Sequence, residues 1–119
     1  MDSEVLEKTL LPDFFDGQVL FSYDLLRLQQ AINTLECLAK MQTTKFNPFY
    51  EGQFLNADNL NQMVEPIKGL LKVHDLPTSF RFFPISDGLD LRPEHLNELV
   101  DKINQTIKKR LDSEKMRKM

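Results

Sequence analysis

The feature that most constrains this chain is a phrase it writes three times. FFDGQVLFSYDLLRLQQAI (14–32), FYEGQFLNADNLNQMVEPI (49–67) and PISDGLDLRPEHLNELVDKI (84–103) align on Gly17, Gly52 and Gly88, spaced 35 and 36 residues apart. Three residues after each glycine stand Leu20, Leu55 and Leu91. Next come Leu25, Leu60 and Leu96; then Leu28, Met63 and Leu99; then Ile32, Ile67 and Ile103. An acid precedes each glycine (Asp16, Glu51, Asp87), Gln18 matches Gln53, Asn61 matches Asn97, and Phe14 and Phe15 match Phe49 and Tyr50. Agreement at so many positions under one offset reads as an internal triplication.

Each repeated position has a physical job. The acid-glycine pair is a turn signal, because glycine takes positive φ without strain. The leucine three residues on anchors the turn before a helix. Helix starts are expected at Ser22, Ala57 and Pro93, with Asn56 as an N-cap and Pro93 at a first helical position that favours proline. Beyond these starts the apolar residues recur at i, i+3 and i+7, one stripe of an amphipathic helix. The first helix should continue through Leu35 and Leu38 toward Met41. The second should kink or restart at Pro66-Ile67-Lys68, since proline removes an intrahelical hydrogen bond, and fray near Gly69.

The fold class that follows is mainly α. Three tandem loop-helix repeats (about 14–42, 49–72 and 84–111) are expected to pack as a small helical bundle, with short extended segments before each glycine. A short N-terminal helix over 3–11 should end at Pro12. The period is close to that of tetratricopeptide repeats, but each unit here offers one helix rather than two, which excludes that family. Between the second and third repeats SFRFF (79–83) reads as one short strand.

The repeated asparagines invite a sharper expectation. Asparagine is a mediocre helix former, so Asn61 and Asn97 are either solvated or use their amides to bond the preceding glycine loop and lock it to the helix. The first repeat carries Leu26 there. It also carries Gln29 where the others have Val64 and Val100, which predicts that its helix faces a different neighbour.

At 119 residues the chain fits a single domain, 1–119, and its 41% hydrophobic and 28% charged residues are ordinary globular composition. No apolar run is long enough for a membrane helix. The N-terminus, MDSEVLEKTLLP, lacks the basic and apolar regions of a signal peptide. A lone cysteine, Cys37, excludes an intrachain disulfide and suggests a reducing compartment. The net charge of −3 hides an asymmetry. Residues 108–119 carry a balance of +4, leaving the rest at −7. This basic helix end could meet an acidic partner or nucleic acid; the plainer reading is a solvated helix end whose dipole favours cations. Nucleic acid is not the expected partner, because the body is acidic and no aromatics interleave with those cations.

Little here suggests catalysis. Cys37 reads as a small buried filler, His95 as an exposed first-turn residue and His74 as a loop residue. None has the spacing of a nucleophile-base pair or a metal site. The four glycines are dispersed, so no phosphate loop forms. Asp16, Glu51 and Asp87 are expected to form turns rather than a catalytic cluster. No catalytic residue, cofactor or metal is expected.

The pattern aromatic-x-[DE]-G-Q-x-L followed by L-N, clearest in Phe49-Tyr50-Glu51-Gly52-Gln53-Phe54-Leu55 through Leu60-Asn61, resembles a segment of tailed-bacteriophage virion structural proteins. Such stretches occur near the N-termini of tail fibres and spikes and in baseplate or neck components. The first repeat matches through Phe15-Asp16-Gly17-Gln18-Val19-Leu20, the third through Asp87-Gly88, Leu91 and Leu96-Asn97. The resemblance covers about half of the chain. It implies a small adaptor module rather than a fibre, which would continue into a long shaft and tip. It also implies a virion location after synthesis in the host bacterial cytoplasm, with fibre, baseplate or neck proteins as partners in multiple copies. The anchors expected to dock there are Phe14, Phe15, Phe49, Tyr50, Phe80, Phe82 and Phe83; core filling is the competing role for each. The alternative function is a soluble helical assembly chaperone or regulatory protein-binding module that never enters the particle.

Overall fold

Three helices begin where the sequence places them, at Ser22, Ala57 and Pro93. A computed structural model of the chain describes residues 2–12, 22–46, 57–86 and 92–117, and these form α1 (Asp2–Thr9), α2 (Ser22–Leu38), α3 (Ala57–Asn61), α4 (Val64–Val73) and α5 (Pro93–Arg117). The fold is mainly α. Among the described residues there is no strand. The glycine turns at Gly17, Gly52 and Gly88 lie outside the described residues. So do Leu20, Leu55, Leu91, Asn56, the repeated acids, and Phe14, Phe15, Phe49 and Tyr50.

The aligned stripe positions account for the core. Leu25, Leu60 and Leu96, Leu28, Met63 and Leu99, and Ile32, Ile67 and Ile103 are all buried in one cluster, joined by Leu6 from α1 and by Leu35, Leu70, Leu71, Val100 and Ile107. The helices α2, α4 and α5 pack against one another pairwise, and α1 lies on α2 and α5. Burial of each such side chain is worth about 1.5–3 kcal/mol, so this shared stripe is the main force holding the bundle. Gln29 is only 7% exposed, as Val64 and Val100 also are buried. The position is thus internal in all three helices.

The break in the second repeat falls upstream of the proline, not at it. Residues Gln62 and Met63 form a turn, and α4 restarts at Val64, which puts Pro66 in its first turn. A proline ring clashes with the carbonyl four residues back, here Gln62, so a continuous helix fails at Gln62. One turn into a new helix the missing N–H has no intrahelical partner to lose. Nor does the helix fray near Gly69; it runs on to Val73.

Two helices end in the same way without glycine. After α2, Met41 N–H donates to Glu36 O (2.8 Å) and Lys40 N–H to Cys37 O (3.1 Å), with Lys40 at φ 58°. After α4, Leu76 N–H donates to Leu71 O (2.8 Å) and Asp75 N–H to Lys72 O (3.2 Å), with Asp75 at φ 57°. Both are Schellman caps carrying a side chain at the left-handed position that glycine usually fills. The leading helix stops at Thr9, three residues before Pro12 rather than beside it.

Candidate functional site

SFRFF is not a strand, and the reason lies in its backbone donors. Arg81 N–H and Phe82 N–H donate to the two oxygens of Glu98 on α5, at 2.6 and 2.9 Å, so a single carboxylate takes two successive donors that a ladder would need. Three residues on, Ile85 is held on both sides by Asn61. Its N–H donates to Asn61 Oδ1 (2.8 Å) and its carbonyl accepts from Asn61 Nδ2 (2.9 Å). The asparagine lock expected from the sequence thus exists, but it grips the entrance to the third repeat instead of the loop before its own helix. Asn97 sits half-buried at the matching place on α5.

The same device recurs elsewhere. Asn104 on α5 grips Leu11, accepting from its N–H (3.0 Å) and donating to its carbonyl (2.9 Å). Glu36 on α2, only 2% exposed, accepts from Thr44 N–H (3.0 Å) and from the Thr44 hydroxyl (2.6 Å). With its amide nitrogen turned toward these acceptors, Asn33 also donates to Glu36 Oε1 (3.0 Å) and Thr44 O (3.1 Å). Arg110 donates to Leu38 O (3.2 Å), supplying a cation at the C-terminus of α2. Buried polar groups need partners, and these side chains provide them for backbone that has left regular structure.

The aromatics of the clamped segment divide by depth. Phe83 is buried in the core, Phe80 packs half-buried against it, and Phe82 stays 37% exposed. Phe80 and Phe83 meet edge to face at 5.8 Å. His95, expected on the surface, is half-buried with its ring edge-on to Phe82 (5.7 Å) and Phe83 (6.4 Å). Its Nδ1 accepts from Arg92 N–H (3.0 Å), closing the first turn of α5. The Arg81 guanidinium lies 5.4 Å from the centre of the Phe82 ring, and Lys102 Nζ 5.8 Å from that of Phe80. The result is an exposed phenylalanine on a knuckle whose backbone and neighbours are tied down.

The other singled-out residues fall elsewhere. Cys37 is exposed, not a buried filler, because it lies off the Leu28-Ile32-Leu35 stripe of α2. His74 caps α4 instead of sitting free in a loop, with Nδ1 2.7 Å from Leu70 O. Among the described residues no group of three His, Cys, Asp or Glu side chains is placed to hold a metal. No described helix is long and apolar enough to cross a membrane. An open groove of about 200 Å³ between α1 and α2 is lined by Lys8, Thr9, Leu11, Arg27, Gln30 and Thr34, among others, and its threonine hydroxyls bond carbonyls of their own helices.

Sequence reasoning missed Glu98, Asn104 and Glu36. Part of the signal was present: Asn61, Asn104 and Glu36 each follow directly after a buried stripe residue (Leu60, Ile103, Leu35), at the rim between core and solvent. No protein-family model matches this sequence, and neither a curated protein nor a solved structure does.

Proposed function

We propose that this protein is a non-enzymatic structural adaptor of a tailed-phage virion that joins tail, baseplate or neck components to fibres by protein-protein packing. The observation that carries the adaptor reading is Phe82, exposed on a segment whose backbone Glu98 clamps, with the Arg81 guanidinium over its ring and the edge of His95 beside it. Rigid aromatic and arginine side chains set on an ordered platform are the usual energetic centres of protein interfaces. The virion part of the reading rests on the thrice-repeated phrase and its resemblance to phage structural proteins.

Mass spectrometry of purified particles tests it. The chain is expected in mature virions at a stoichiometry that matches their tail or baseplate symmetry. Its presence in infected cells but absence from particles would overturn the structural role in favour of an assembly chaperone.

A further inference from the structure

The knuckle carries arginines that make no ion pair. Glu98 directs both its oxygens to the backbone N–H groups of Arg81 and Phe82, not to the Arg81 guanidinium. Asp101, one turn on, accepts from Gln105 (3.0 Å). Glu94, in the first turn of α5, is exposed and pairs with neither Arg81 nor Arg92. Among the described residues neither guanidinium makes an ion pair, and both side chains are exposed. The two residues stand at the ends of a linked run: the Arg81 guanidinium over the Phe82 ring, Phe82 edge-on to His95, and His95 accepting from the Arg92 backbone N–H.

We infer that Arg81, Phe82, His95 and Arg92 form a docking point for an acidic segment of a partner protein carrying an apolar or aromatic side chain beside its carboxylates. The chemistry follows from the groups present. A guanidinium offers a fork of donors that a carboxylate fills in pairs, and a ring-stacked guanidinium keeps its edge free to do so. The exposed phenylalanine supplies the apolar contact, and the Glu98 clamp on its backbone lowers the ordering entropy lost on binding. This inference deepens the adaptor reading by naming the chemistry of the partner segment.

The test is a titration of the full-length protein, followed by amide NMR shifts, with three probes: acetyl-Asp-Glu-Phe-Glu-Asp-amide, its lysine counterpart acetyl-Lys-Lys-Phe-Lys-Lys-amide, and an eight-residue oligothymidylate. The acidic peptide is expected to shift the Arg81, Phe82, Arg92 and His95 amides saturably, and high salt should weaken it. The lysine peptide should leave these amides unmoved. Arg81→Gln and Arg92→Gln, both at exposed positions, should each weaken binding about fivefold to tenfold with the melting temperature unchanged. Phe82→Ala should weaken it independently of salt. Equal binding of the lysine peptide, undiminished binding by both arginine variants, or no localised shifts with the acidic peptide would overturn the proposal. Stronger shifts of the same amides by the oligothymidylate would overturn it too, assigning the surface to nucleic acid. None of these outcomes bears on whether the chain is present in virions, so the two readings fail separately.

Discussion

Single polar side chains hold the irregular segments of this protein, and their arithmetic is that of buried hydrogen bonds. Asn61 satisfies both polar groups of Ile85, and Asn104 both of Leu11. Truncation to alanine leaves a part-buried donor and acceptor without their partners, at about 1–3 kcal/mol for the pair. Asn61→Ala and Asn104→Ala should therefore each lower stability by that amount in urea unfolding. By contrast Lys68→Ala, which removes an exposed ion pair to Glu65 at 3.9 Å, should change it by less than about 0.5 kcal/mol. A second residue-scale prediction concerns Lys40. Left-handed backbone costs about 1–2 kcal/mol for a residue with a Cβ, against about 0.5–1 kcal/mol for the extra chain entropy of glycine. Lys40→Gly should raise stability by about 0.5–1 kcal/mol, seen as a higher denaturant midpoint with an unchanged slope. Asp75→Gly should gain less, since aspartate tolerates that conformation better.

At the scale of elements, α4 shows how two helix breakers differ by position. Pro66 lies in the first turn, where it forfeits no intrahelical hydrogen bond, so Pro66→Ala should change stability by less than about 1 kcal/mol. A proline in mid-helix would instead have released about 3 kcal/mol on replacement. Gly69 lies inside the same helix, and a Cβ there would meet Met41 Cε at 3.5 Å, an ordinary contact. Gly69→Ala should therefore stabilise by about 1 kcal/mol. Thermal melts of the two variants side by side check this ordering. The reverse order would mean that the break at Gln62–Met63 is not where α4 starts.

At the scale of the whole molecule, the three stripes act as one core. Leu25, Leu60 and Leu96 are fully buried in the same cluster, so truncation of any of them to alanine should cost about 2–5 kcal/mol. Against a total stability of about 5–15 kcal/mol, pairs of such changes, together about 4–10 kcal/mol, should remove most of the margin that keeps the chain folded. The far end of α5 behaves differently. Among the described side chains Ile107 is its last fully buried one, Leu111 is half-buried, and Met116 is 75% exposed. A stop after Asp112 should shift stability by less than about 1 kcal/mol in the same unfolding experiment.

The sequence by itself determined the helical class, the helix starts at Ser22, Ala57 and Pro93, and the stripe that forms the core. These are properties of local periodicity, capping and turn residues, which act within a few positions of the chain. The break in the second repeat is local as well, since the proline clash stops a continuous helix at Gln62; the tertiary structure decided that the helix resumes at Val64, whose stripe has a core to meet. Likewise only packing chose the partners of Asn61, Asn104, Glu36 and Glu98, each of which bonds backbone 8 to 93 residues away. Periodicity marks such residues as lying at the rim of a helix face. It does not say which segment will arrive there with unsatisfied N–H and C=O groups. SFRFF makes the point most directly: its composition suits a strand, but with Glu98 holding the N–H groups of Arg81 and Phe82, and Asn61 gripping Ile85 just beyond, it becomes the knuckle that presents Phe82.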